Sequence, residues 1–157
     1  MSAGVDGVSV VVRRAETRSE VEAAAAIRHT VFVLEQELFD GSDRDRRDDD
    51  DATIHLIAAV DGQVAGTVRI YRLDDPGTWL GDRLAVASEF RVLQLGAALV
   101  RLAVRTAGEL GGDVMHAHIQ LPNVRFFERL GWHAAGPPED YLGARHQPMS
   151  ITLRSST

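Results

Sequence analysis

The stretch "EFRVLQLGAALV", Glu89 to Val100, joins an apolar run to a long helical pattern, and its reading decides the fold. A plain strand-to-helix corner needs one flexible residue. A phosphate cradle needs more: backbone N–H groups aimed at one point, small side chains that let an anion approach, and a helix start behind them. From these residues alone both readings stand.

Upstream of the stretch, "LGDRLAVA" reads as a strand. Downstream, Gly96 to Leu110 reads as a helix with Leu99, Leu102 and Ala103 inward and Arg101 and Arg105 outward, ended by Gly111-Gly112. "DVMHAHIQ" is the next strand, "NVRFFERLG" a short helix, and "WHAA" and "QPMSITL" the last strands. Toward the N-terminus, Val8 to Arg13 is β-branched and reads as the first strand. "TRSEVEAAAAIRHTVFVLEQ" reads as one helix with Ser19 as N-cap and Glu22 at capping-box spacing. Val21, Ala24, Ala25, Arg28, Val31 and Phe32 recur at helical intervals. "TIHLIAAV" and "QVAGTVRIYRL" flank Asp61-Gly62, a strong hairpin signal, and "DDPG" at Asp74 to Gly77 makes another turn. The predicted order is β-α-β-β-β-α-β-α-β-β, an α/β (α+β) mixed sheet. A right-handed crossover makes its fourth and fifth strands, β4/β5 of this order, a parallel pair. Ligands in such sheets bind where carboxyl ends of strands face a helix start, and the opening stretch lies there.

Composition removes many chemistries. The chain has 157 residues, the size of one domain (1–157), without cysteine. Disulfides, thiolate metal ligands and cysteine nucleophiles are excluded. All 17 cationic side chains are arginine. There is no P-loop lysine, Schiff-base lysine or Ser–Lys pair, and the G-x-S-x-G and G-x-G-x-x-G patterns are missing. Any phosphate must be held by backbone amides and arginine. The net charge is -6, much of it from "DGSDRDRRDDDD", so neither nucleic acid nor anionic lipid is an expected partner. No stretch is apolar enough to span a membrane and no signal peptide is evident, which reads as cytoplasmic.

"LAVASEFRVLQLGAALV" followed by "NVRFFERLGW" resembles the GNAT superfamily of acetyl-CoA-dependent N-acetyltransferases. Arg91-Val92-Leu93-Gln94-Leu95-Gly96 matches the family's R/Q-x-x-G-x-G/A signature. Asn123, Phe126, Phe127, Glu128, Arg129, Leu130, Gly131 and Trp132 match its N-…-F-Y-E-K-L-G-F-like segment. "IRHTVFVLEQ" and "HLIAAVDG" further resemble the ElaA-like branch. The resemblance runs from about Ile27 to Trp132.

The resemblance implies acetyl-CoA as co-substrate, no metal, a small-molecule amine as partner, and a monomer or homodimer. It places the pyrophosphate on backbone N–H groups from Val92 to Ala97, plus Ala98, with the helix dipole adding attraction. Gln94 departs from the pattern, which has glycine there; its Cβ is tolerable where the backbone is near right-handed helical geometry. The pantetheine arm is implied between the fourth and fifth strands, beside Leu84, Ala85 and Val86, where a backbone N–H would face the thioester oxygen. Asn123, the chain's only asparagine, is either an N-cap or a contact to that arm.

An amine must lose a proton before attacking a thioester. His118 is the first candidate base, sharing one strand face with His116 and Gln120. Glu35 and His55 are alternatives. Phe127 stands where the family often has an acid tyrosine, leaving Tyr141 or solvent for that role. The acidic segment Asp40 to Asp51 reads as a solvated loop whose surface ion pairs are worth little, or more sharply as a rim attracting cationic amines. A non-catalytic acyl-CoA sensor and an acyl-homoserine-lactone-synthase-like acyltransferase are the alternative functions.

Overall fold

The computed structural model describes residues 2–5, 7–141 and 143–153. Its strands are β1 (Ser2–Val5), β2 (Val8–Arg14), β3 (Ile54–Val60), β4 (Gln63–Arg72), β5 (Thr78–Val86), β6 (Val114–Gln120), β7 (His133–Ala134), β8 (Glu139–Tyr141) and β9 (Ala144–Thr152). Its α-helices are α1 (Arg18–Arg28), α2 (Leu95–Glu109) and α3 (Val124–Arg129). One mixed sheet runs in the order β1-β2-β3-β4-β5-β6-β9-β7, with β8 on β9. The sequence-derived order is present from β2 onward, and its fourth and fifth strands are β5 and β6, paired in parallel. The additions are β1, antiparallel on β2, and β8.

Helix α1 packs on one face of the sheet, against β4, while α2 packs on the other. Ile54, Leu56, Ala58 and Val60 of β3 alternate into the α2 side, where Leu95, Leu99, Ala103, Phe127 and Trp132 complete the core. Burying an aliphatic side chain of this kind contributes roughly 1.5–3 kcal/mol. The β3–β4 hairpin turns at Asp61 and Gly62, both at positive φ (48° and 85°), as an Asp-Gly two-residue turn requires.

Two helix readings are corrected. Thr17, not Ser19, caps α1: its hydroxyl accepts from Glu20 N at 3.2 Å and the Glu20 carboxylate accepts from Thr17 N at 3.3 Å. Glu20 also pairs with Arg13 on β2, which selects this box over the one two residues on. The helix ends at Arg28, and His29–Glu35 continues as a π-helix. There Gln36 N donates to Val31 O at 2.9 Å. The wider turn carries Phe32 to the sheet face beside Ala85.

A candidate active site between β5 and β6

The opening stretch forms a 3-10 turn over Ser88–Leu93, a reversal at Gln94, and the start of α2 at Leu95. Gln94 has φ 56° and ψ 35°, the left-handed region. The expectation of near right-handed geometry is therefore corrected: this is the conformation that favours glycine, and a side chain there is strained. No side chain caps α2. The first-turn amides of Leu95, Gly96 and Ala97 thus lack both intrahelical acceptors and a capping oxygen, while the next amide, Ala98 N–H, makes the first helical bond, to the Gln94 carbonyl. A Cβ built on Gly96 would meet only Phe126 Cζ, at 3.7 Å, an ordinary contact. The fold does not need glycine there; the open space lies beside free N–H groups. Leu93 is half-buried and Leu95 buried, anchoring the turn from below. The backbone of Val92 lies in the turn; its side chain is outside the described residues. Arg91 donates from Nε to Val86 O (3.1 Å) and from Nη2 to Glu35 Oε1 (2.6 Å).

Strands β5 and β6 pair only at Thr78↔Val114, Trp79↔Met115 and Leu80↔His116. From Gly81 to Val86 the β6-facing edge of β5 has no strand partner among the described residues. On its other edge the register with β4 passes from Thr67↔Ala85 to Arg69↔Asp82, a bulge with Arg83 at φ 56°. The divergence opens a cleft of about 870 Å³ including its mouth. It crosses the sheet. One half is apolar, with Val100, Ala103, Met115, Phe127 and Trp132; the other carries Phe32, Phe39, Asp82, Arg83, His118 and Tyr141. Leu84 lines it, with Ala85 and Val86 next along the same strand. Asn123 precedes α3 but makes no capping hydrogen bond, and it lines the cleft. Phe127 is buried edge-on to Phe126 and Trp132.

The three base candidates separate. His118 lines the cleft, its ring stacked on Tyr141 at 4.0 Å and 12°. Glu35 sits at the rim as the partner of Arg91. His55 lies opposite Arg69 on β3, with β4 between it and the cleft; burial, then nearby Arg28, push its pKa down. Burial raises the pKa of Tyr141. Among the described residues no three metal-ligating side chains cluster.

The acidic segment is a solvated loop only in part: Asp40, Asp49, Asp50 and Asp51 are exposed, whereas other side chains turn inward. Asp43 (1% exposed) and Asp48 are buried, and a 3-10 turn spans Arg46–Asp49. Arg28, on the apolar face of α1, donates to Asp43 Oδ2 at 2.7 Å and to both Asp48 oxygens at 2.7 and 3.0 Å. Arg69, 1% exposed, grips Asp82 at 2.7 and 2.8 Å and Asp45 at 2.7 and 3.1 Å. Arg83 donates to Asp43 O at 3.1 Å and stacks over Phe39 at 4.6 Å. The segment is thereby fastened to β4 and β5 under the polar half of the cleft.

Sequence reasoning missed Asp82, Arg83, Gln36 and Glu139. Gln36 accepts from Gln120 Nε2 at 2.9 Å, so the adjacent Glu35 and Gln36 hold opposite arms of the cleft. Period-two spacing of Glu139 and Tyr141 before Gly143 (φ 76°) is the signal that would have revealed β8.

A family model for the acetyltransferase (GNAT) family matches residues 21–132. Among solved structures, Escherichia coli ElaA superposes with a TM-score of 0.80 at 20% identity, covering 90% of this chain and 99% of that one. An acyl-CoA N-acyltransferase from Pseudomonas aeruginosa gives 0.77 at 25% identity, covering 90% and 98%. The CoA-dependent acyl-homoserine lactone synthase BjaI gives 0.79 at 18%, covering 92% and 84%. No curated protein sequence matches the chain.

Proposed function

The chain belongs to the acetyltransferase (GNAT) family, and from that premise we propose that it transfers an acetyl group from acetyl-CoA directly to the amine of a small molecule. One observation carries the reading. An uncapped helix start with open space at Gly96 follows, through the turn after β5, the stretch of β5 that among the described residues has no strand partner toward β6. Those two features fit an anion and an extended amide-bearing arm, respectively. Leu95 to Ala98 would hold the pyrophosphate, and Leu84 to Val86 with Asn123 the arm. Bound there, acetyl-CoA supplies the activated acyl carbon.

His118 takes the proton from the acceptor ammonium. The neutral nitrogen then forms a bond to the acyl carbon as the carbon–sulfur bond breaks; the electron pair leaves with sulfur, and the surplus proton on the new amide nitrogen passes to the thiolate or to solvent. A thiol is a far stronger acid than an alkylammonium. The thiolate therefore departs without a fixed donor, and Phe127 in place of a tyrosine is no obstacle.

Thiol release from acetyl-CoA across an amine panel tests the reading, with thermal unfolding measured alongside. At a hundred times Kd the coenzyme should add about 2.7 kcal/mol of stability. Release with at least one amine, a ~10²–10⁴-fold lower kcat in His118→Ala, and little change in Phe127→Tyr are expected. Stabilisation without release from any amine would instead make the protein an acyl-CoA sensor.

A further inference from the structure

We propose that Glu139 is a positioning residue for His118: its carboxylate takes the Nδ1–H bond and leaves Nε2 as the free lone pair. This rests on the reading of His118 as the base.

The Nδ1 atom of His118 is shut off from solvent and makes no aligned hydrogen bond among the described residues. Glu139 Oε1 lies 3.1 Å from it. A neutral imidazole carries one donor and one acceptor nitrogen. A lone pair on Nδ1 would face the carboxylate's lone pairs at that distance. A proton there faces them favourably, so the proton belongs on Nδ1. The contact is short of full alignment, as hydrogen bonds of unliganded sites often are.

The scaffold holds the pair in place. Glu139 and Tyr141 share one face of β8 by the two-residue period, and Tyr141 lies flat on the imidazole. Strand β9 pairs with β8 through Glu139↔His146 and with β6 through His118↔Pro148, fixing both partners to one backbone. The ring therefore has one lateral neighbour that orients its plane and another that selects its tautomer.

Other charged or titratable groups face this position. Tyr141 comes from β8, His146 from β9 (edge-on to Tyr141 at 5.3 Å), His116 from β6, and Asp82 and Arg83 from β5. Asp82 is held by Arg69, and Arg83 by Asp43 and Asp45. Among the described residues Glu139 pairs with no cation but this imidazole. It is the carboxylate left to act on it.

Glu139→Gln keeps the shape but replaces one acceptor oxygen by an amide that donates. The experiment is ¹⁵N spectroscopy of the neutral His118 ring in wild type and Glu139→Gln, with kcat measured beside it. Expected are an Nδ1–H tautomer in the wild type, a gain of the Nε2–H tautomer in the variant, and a kcat that falls with the Nδ1–H population. Glu139→Asp should return part of that population. A wild-type Nε2–H tautomer, or a tautomer ratio unmoved by Glu139→Gln, overturns the proposal. The ring spectrum needs no turnover. Failure of thiol release with every amine therefore counts against the acyltransfer reading, while the tautomer decides the role of Glu139 separately.

Discussion

Two segments flanking the cleft handle charge in opposite ways. Residues 40–51 crowd seven aspartates and three arginines into twelve positions, yet Asp43 and Asp48 are buried against arginines from α1, β4 and β5. The charges of Asp43, Asp45 and Asp48 are consumed internally, and Asp40 and Asp49 to Asp51 face outward. The turn over residues 88–98 has two charged side chains, Glu89 and Arg91, and leaves first-turn amides of α2 without acceptors. Its capacity is directed outward. A dense run of charge here marks a structural fastening, and a run of small neutral residues marks a place where an anion can sit.

The contrast breaks most visibly at Arg69. Arg69→Met leaves Asp45, Asp48 and Asp82 crowded without their shared cation. Removing one partner of a buried ionic cluster costs about 3–5 kcal/mol, and chemical denaturation should show a loss of that size. Coenzyme affinity of the folded fraction should stay near wild type. A loss under 1 kcal/mol would return the acidic segment to a solvated role.

The same variant sharpens the comparison in acid. Burial works to raise the Asp48 carboxyl, but the Arg28 hydrogen bonds outweigh it and hold it below the usual carboxylate range. Asp45 is likewise held low, burial being outweighed by Arg69. A depressed carboxylate stabilises the fold above its unfolded pKa of about 4 and loses that contribution as pH falls toward the folded value. The wild-type advantage over Arg69→Met should therefore be full at neutral pH and narrow below about pH 4. An advantage independent of pH down to the acid transition would show that shape, not charge, holds the segment.

On the other side of the comparison, Gly96→Val should cut acetyl-CoA affinity at least tenfold, about 1.4 kcal/mol. Stability should barely move, because a Cβ there meets only Phe126 and valine is the better helix former. Calorimetric binding set beside thermal unfolding makes the check. Equal losses in both would make Gly96 a packing residue. The smallest effect belongs to Gln94→Gly. Relief of left-handed strain exceeds glycine's greater unfolded entropy by roughly 0.5–1 kcal/mol. The unfolding midpoint should rise by a few degrees, and an unchanged or lower midpoint would refute the strain.

Much of the architecture was legible because periodicity reports it directly. Alternation in β6, the helical period of α2 and Asp-Gly at the β3–β4 turn each depend on neighbours in the chain. The buried network was not legible. Arg28 finds Asp43 and Asp48 fifteen and twenty residues away, and Arg69 finds Asp45 twenty-four away. A charge run alone does not announce that distant cations are waiting under it. The cleft was partly legible. The motif spacing marked the α2 turn and Asn123, and strand period placed His118. Glu139 was hidden because the one cue to β8, Glu139 and Tyr141 two apart before Gly143, gives the strand but not the partner across β9 that brings the carboxylate to His118. The backbone sign of Gln94 was hidden because a glutamine ordinarily advertises a right-handed conformation.

That left-handed glutamine bears on how the protein can be improved. Stabilising a ligand site usually exchanges activity for rigidity, since strained or unsatisfied groups are the ones that bind. At position 94 the two demands point the same way. One Cβ strains the reversal, and it stands one residue before the first free amide of α2, where any side chain is one more group beside an arriving anion. Removing it relaxes the chain without satisfying those amides, so robustness and ligand capture can rise together from a single substitution.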